Sequence, residues 1–154
     1  GKYAQAYPAF GSERMGSPVT TYVRIADRPI RTRTLIYNPD FIIIQDSTLL
    51  ATEPILDGLK PKGLVLVNTK KSADALGLDL NSRVLTIPAA ELAMETLGRP
   101  IVNTTILGAF AAASGAISLE GIRSALEHRF TKELAEKNLK AATKGYNFVK
   151  EKKQ

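Results

Sequence analysis

These 154 residues contain no cysteine and a single histidine. The first absence excludes disulfides and thiolate-held iron–sulfur clusters within the chain, and the second leaves no His/Cys set for zinc. Tryptophan is missing too, and aromatics make up only 6%, a poor supply of the stacking rings that single-stranded nucleic acid requires. No apolar run reaches the roughly 20 residues that span a bilayer, and the opening GKYAQAYPAF lacks the charged-then-apolar layout of a secretory leader. A cytoplasmic protein with no membrane contact is therefore expected. There is also no phosphate-binding P-loop, no dinucleotide fingerprint and no nucleophile elbow. A self-sufficient enzyme is not expected, and no residue is assigned as catalytic or metal-binding.

What the chain does have is enough apolar material, 44% of the residues, for one compact domain over residues 1–154. Its net charge of +6 favours anions: phosphorylated cofactors, acidic subunits or nucleic acid. Lys137, Lys140, Lys144, Lys150, Lys152 and Lys153 concentrate near the C-terminus, where they read as a solvated helix face.

Residues 19–25 alternate, with Val19, Thr21, Val23 and Ile25 on one side and Thr20, Tyr22 and Arg24 on the other, the pattern of a half-buried strand. Asp27-Arg28-Pro29 is a turn, and IRTRTL after it continues the alternation, which predicts an antiparallel hairpin near a sheet edge. FIII at 41–44 and LVLV at 64–67 are continuously apolar, as in central parallel strands covered on both faces, and VLTI at 84–87 is a third candidate. From residue 88 the period becomes helical. AAELAMETL ends at Gly98 and Pro100, Asn103 or Thr104 caps the apolar ILGAFAAA, Ser118 caps a helix with Leu119, Ile122, Leu126 and Phe130 on one face, and a last helix carries Ala135, Leu139, Ala142, Tyr146 and Val149. Glu133–Lys137 and Glu136–Lys140 are spaced to pair on its wet side. The order implies an α/β fold: a three-layer α/β/α domain with a mostly parallel sheet, an antiparallel hairpin and a helical C-terminal half.

Two places offer chemistry. The loop F-G-S-E-R-M-G-S-P, residues 10–18, combines close backbone approach at Gly11 and Gly16 with the guanidinium fork of Arg14, which suits a phosphate. An ordinary structural loop, with Glu13 and Arg14 paired to neighbours, explains the same residues. Asn103 and Thr104 stand at a helix start, where N–H groups and the helix dipole favour anions, although a simple N-cap accounts for them too. His128 has no nucleophile motif beside it, Glu91 and Glu95 read as solvent-facing charge, and Asp46 and Asn68 sit at strand ends where loop capping also suffices.

Taken in order, YPAFGSERMGSPVTTYVRI, DRPIRTRTLIYNPD, FIIIQDSTLL, KPKGLVLVNT and GRPIVNTTILGAFA resemble the γ subunit of the 2-oxoacid:ferredoxin oxidoreductases, most closely that of the pyruvate enzyme. The family loop Phe-Gly-Pro-Glu-Arg-Arg-Gly-Gly-Pro is matched at Phe10, Gly11, Glu13, Arg14, Gly16 and Pro18, and departs at Ser12, Met15 and Ser17. Members also begin with a strand and a His-Gly-Arg-Gly-Gly-Gln-Gly loop that precede any part of this sequence, so a chain lacking its first element is expected. The resemblance implies one subunit of a complex that converts a 2-oxoacid and coenzyme A to acyl-coenzyme A and carbon dioxide, with electrons passed to ferredoxin. Thiamine diphosphate and iron–sulfur clusters would lie in α, β and δ partner subunits and none on this chain. Coenzyme A would be received with help from Gly11, Glu13, Arg14, Gly16, Asn103 and Thr104. Related complexes acting on 2-oxoisovalerate or 2-oxoglutarate, and a basic nucleic-acid-binding module, are the alternatives.

Overall fold

A computed structural model of the chain describes residues 1–9, 18–78 and 83–152. They divide into two compact units, Gly1–Asn38 and Pro39–Gln154.

The first unit is a two-stranded antiparallel ribbon, β1 (Tyr3–Ala9) with β2 (Thr20–Ala26), in the register Ala4↔Ile25, Ala6↔Val23, Tyr7↔Tyr22 and Pro8↔Thr21. The hairpin is real, but β2 takes its partner from the preceding segment. Residues 27–36 form no strand. The reason lies in the side chains on one face: the Tyr7 hydroxyl and the Arg24 guanidinium both donate to the Thr34 carbonyl, while Arg24 also donates to the Tyr7 hydroxyl at 2.9 Å. These donors hold the returning segment by a carbonyl that a β-ladder would otherwise have used. Pro8 has no N–H to give, which a narrow ribbon tolerates.

The ribbon is also inverted relative to the sequence pattern. Gln5, Tyr7, Tyr22 and Arg24 are half-buried, whereas Ala4, Ala6, Pro8, Thr21, Val23 and Ile25 on the other face are exposed.

The second unit contains a three-stranded parallel sheet in the order β3 (Phe41–Ile44), β4 (Leu64–Asn68), β5 (Arg83–Ile87). Alternation along β4 sends Leu64 and Leu66 to one face and Val65 and Val67 to the other, all buried. The first pair packs with Ile87 against α2 (Ala89–Leu97) and α3 (Asn103–Ser114), joined by Val149 of α5 (Lys132–Glu151). The second pair, with Ile44, packs against Leu50 of the short α1 (Leu49–Thr52) and against Ile55, Leu56, Leu59 and Leu76. Helices and turns thus cover the two faces, the layered α/β arrangement expected. LVLV is central, as its continuous apolar run predicts. FIII and VLTI, however, are the two edge strands among the described residues, each paired only with β4: Phe41 and Ile43 are each 40% exposed, with Phe41 set edge-on to Phe110 at 5.2 Å between ring centroids.

Two of the helix boundaries follow their sequence signals, whereas α3 does not: Val102 is its N-cap position and makes no side-chain cap, and Asn103 and Thr104, expected as caps, lie within the helix. Gly98 closes α2 at φ 66°. Ser118 accepts the Gly121 N–H at 3.0 Å to open α4 (Leu119–Arg129), whose Ile122 and Leu126 are buried against Ala111, Ala135 and Ala142. The Glu133–Lys137 pair forms at 2.7 Å, while among the described residues the Glu136–Lys140 pair does not. At the crossing of α3 and α5 the backbones touch. A Cβ added to Gly108 would stand 2.8 Å from Ala142 Cα and overlap its carbonyl, and one added to Gly145 would stand 3.0 Å from the Thr105 carbonyl carbon.

Candidate functional site

Open parallel sheets bind ligands beyond the carboxyl ends of their strands, and here those ends carry Asp46, Asn68 and the start of α2. Asn68, at the end of β4, links the end of β3 to the start of α2. Its Nδ2 donates to the Gln45 carbonyl after β3 at 3.0 Å, and its Oδ1 accepts the Ala89 N–H of α2 at 3.0 Å. Thr69 N–H donates to the Ile87 carbonyl at 2.9 Å, which ties β4 to the end of β5. Asp46 accepts from the Thr48 hydroxyl at 2.7 Å and the Thr48 N–H at 2.9 Å, and those bonds hold its carboxyl below the ordinary aspartate value. Lys70 pairs with Glu91 in the first turn of α2, while Glu95, towards the other end of that helix, pairs with Lys144 of α5 away from this edge. The groups at this edge are therefore largely committed to one another, and their chemistry is that of a frame.

That role has a measurable consequence. Replacing Asn68 by Ala removes a helix cap and a strand-to-strand bond together, so unfolding free energy should fall by about 1–2 kcal/mol. Asn68→Asp keeps the acceptor and should lose less. Urea denaturation reads both, and an unchanged midpoint for the alanine variant would show that the bridge contributes nothing.

The start of α3 separates the two residues expected to act alike. Val102 precedes the helix and Asn103 is its first residue. Asn103 is exposed, and its Oδ1 accepts the Thr104 N–H at 2.8 Å. Thr104 is buried and its hydroxyl donates to Asn138 Oδ1 of α5 at 2.9 Å, while Asn138 Nδ2 donates to the Leu134 carbonyl at 2.9 Å. Thr104 thus latches α3 to α5, and only Asn103 of the pair presents its side chain outward. Sequence reasoning missed Asn138, although a polar residue set within the apolar stripe of Ala135, Leu139 and Ala142 was the available signal. Gly11, Glu13, Arg14 and Gly16 lie outside the described residues, as does most of the loop that contains them.

Among the described residues no helix is long and apolar enough to cross a membrane. His128 stands exposed in the last turn of α4.

Comparison with known proteins places this fold. Pyruvate synthase subunit PorC of Methanosarcina barkeri is 48% identical over 126 residues, covering 82% of this chain and 69% of that protein. The pyruvate/ketoisovalerate oxidoreductases common subunit gamma of Pyrococcus abyssi is 45% identical over 149 residues, covering 95% of this chain and 80% of the relative. The crystal structure of pyruvate oxidoreductase subunit PORC (EC 1.2.7.1) from Thermotoga maritima superposes with a TM-score of 0.82 at 33% identity, over 95% of this chain and 79% of that one. With residues 1–148 also matching the family as a whole, the chain belongs to the pyruvate ferredoxin/flavodoxin oxidoreductase family.

Proposed function

We propose that the chain serves as the γ subunit of a pyruvate:ferredoxin oxidoreductase, in which pyruvate and coenzyme A become acetyl-coenzyme A and carbon dioxide and two electrons pass to ferredoxin. The observation that carries this reading is the agreement in sequence and fold with PorC subunits along nearly all of the chain. The residues themselves support an assisting role. With no cysteine among them, they cannot ligate an iron–sulfur cluster through thiolates, so on this reading the clusters and thiamine diphosphate belong to the α, β and δ companions. The ionisable groups at the sheet's carboxyl end are engaged in caps and ion pairs rather than poised for acid–base work.

Within the complex, this subunit helps to receive coenzyme A. Arg14 offers two parallel donors to a phosphate, Gly11 and Gly16 let the backbone come close, and Glu13 belongs to the same loop. Asn103 adds a polar side chain at a helix start, and Thr104 fixes that helix through Asn138. The common γ subunit of Pyrococcus abyssi supports a second substrate class for the same chain, branched 2-oxoacids, since a subunit without the reacting centres can serve more than one set of companions.

Reconstitution tests the reading. Companion subunits purified without this chain should show little pyruvate- and coenzyme A-dependent reduction of ferredoxin, and adding the chain should restore it, while the chain alone turns nothing over. Full activity without the chain would reject the assignment.

A further inference from the structure

The segment that follows β2 is held in place without entering a sheet. The Tyr7 hydroxyl and the Arg24 guanidinium both donate to the Thr34 carbonyl, and Arg24 also reaches the Thr34 hydroxyl at 3.3 Å and the Leu35 carbonyl at 3.4 Å. The same guanidinium lies over the Tyr7 ring, 5.8 Å from its centroid, and the Tyr7 ring packs with that of Tyr22 at 5.7 Å. Two polar side chains of the ribbon thus clasp one irregular, mostly exposed stretch. Ordering exposed backbone costs conformational entropy, so the side chains that this stretch carries bear on why it is fixed.

They are cations. Arg28, Arg31 and Arg33 are exposed and form no ion pair with a described residue, while Asp27 beside them is engaged by Lys2 at 3.3 Å. Arg24 answers to hydroxyls and carbonyls and adds a fourth positive charge. Residues 1–38 carry six basic side chains (Lys2, Arg14, Arg24, Arg28, Arg31, Arg33) against two acidic ones (Glu13, Asp27), a net +4 of the chain's +6. Like charges gathered on one ordered stretch repel one another, and a bound anion relieves that repulsion.

Spacing narrows the kind of anion. Arg31 and Arg33 are two residues apart, so their Cα atoms stand at most about 7 Å from each other, and the clasp fixes Thr34 directly after them. Two guanidinium forks at that separation can converge on one phosphomonoester, which carries a charge of about −1.5 to −2 at pH 7 and three acceptor oxygens. A nucleic acid strand is instead followed by cations spread along a groove with stacking rings between them, whereas residues 28–36 contain no aromatic. We propose that Arg31 and Arg33 form a phosphomonoester site, with Arg28 adding charge beside it. This rests on the γ-subunit reading above, which makes the ligand coenzyme A and the bound group its 3′-phosphate. The pair then sets specificity: it favours coenzyme A over an otherwise identical thiol that ends in a free 3′-hydroxyl, and it touches nothing at the reacting sulfur.

The test is the steady-state rate of the assembled complex with coenzyme A and with dephospho-coenzyme A as alternative substrates. In the wild type the KM for the dephospho form should stand about ten-fold above that for coenzyme A, with similar kcat, because a contact remote from the thiol is equal in ground and transition states. Arg31→Gln with Arg33→Gln should raise the KM for coenzyme A about ten-fold and leave that for the dephospho form nearly unchanged, so that their ratio approaches one. Arg31→Lys with Arg33→Lys keeps the charge without the forks and should lie between. Lys140→Gln, which removes a charge from the exposed side of α5, is the control and should keep the wild-type ratio. A glutamine pair that raises both KM values together, as a merely structural role requires, would overturn the proposal. So would a wild type that does not discriminate the two substrates, or an oligonucleotide bound through the same arginines and not displaced by coenzyme A. Companions that gain no turnover from the added wild-type chain would reject the γ-subunit reading, and calorimetry on the full chain then decides the site by itself: several-fold tighter binding of coenzyme A than of the dephospho form, lost in the glutamine pair, sustains it, and equal binding refutes it.

Discussion

Gly108→Ala should destabilise the Pro39–Gln154 unit by about 3 kcal/mol or more. On helix propensity alone the opposite sign is expected, since alanine is better than glycine by about 1 kcal/mol in a helix interior. Packing reverses it. The new methyl would overlap the carbonyl of Ala142, which is backbone held in α5 and cannot rotate aside as a side chain can. Relief requires α3 and α5 to separate, and that loosens the contacts that Ile106, Ala109 and Phe110 make in the core together with the Thr104–Asn138 hydrogen bond. Gly145→Ala meets the Thr105 backbone in the same way and should behave alike. Gly121→Ala in α4 meets only the Ser118 hydroxyl at 3.2 Å and should stay within about 1 kcal/mol of wild type. A melting temperature lowered by more than about 10 °C for Gly108→Ala is the corresponding thermal result, and a melting temperature at or above wild type would mean that the helices do not cross at this distance.

Arg14→Ala in the assembled complex should raise the apparent KM for coenzyme A about ten-fold or more and leave kcat nearly unchanged. A guanidinium paired with phosphate contributes on the order of 1.5–3 kcal/mol, and about 1.4 kcal/mol is one factor of ten. Coenzyme A carries its phosphates far from the reacting thiol, so their contacts are equal in ground and transition states and appear in KM. Arg14→Lys keeps the charge but loses the fork and should fall between. The initial rate as a function of coenzyme A concentration, with subunit content checked in each preparation, reads the effect. An unchanged KM in an intact complex would remove Arg14 from the phosphate site and leave the loop a role in assembly.

Much of the second unit is legible in the sequence because its signals are local. Val65 and Val67 sit in a continuous apolar run because their strand is covered on both faces, and Gly98 and Ser118 stop and start helices through their own backbone and side-chain chemistry. Pattern misleads where tertiary contacts decide. IRTRTL has the alternation of a strand, but Arg24 and Tyr7 capture the Thr34 carbonyl, while Tyr3–Ala9 pairs with β2 despite its proline. FIII looks like LVLV, yet edge and centre differ only in what lies alongside. Gly108 and Gly145 give no signal in their own helices, since their requirement arises only where α3 and α5 meet. Of the candidate site, Asn103 is presented outward as its position suggests, and Thr104 is a latch because Asn138 faces it from 34 residues away.

On this view the polypeptide works only beside companions that hold the reacting groups. Isolation of the tagged chain from its own cells, with counting of the co-purifying polypeptides, bound thiamine diphosphate and iron, puts that claim to the test. The expected result is a stable complex in which the chain is present in fixed ratio, with cofactor and iron absent from the chain and retained by the companions when the two are separated. A chain that elutes alone and oxidises pyruvate, or that keeps a prosthetic group after separation, would contradict it.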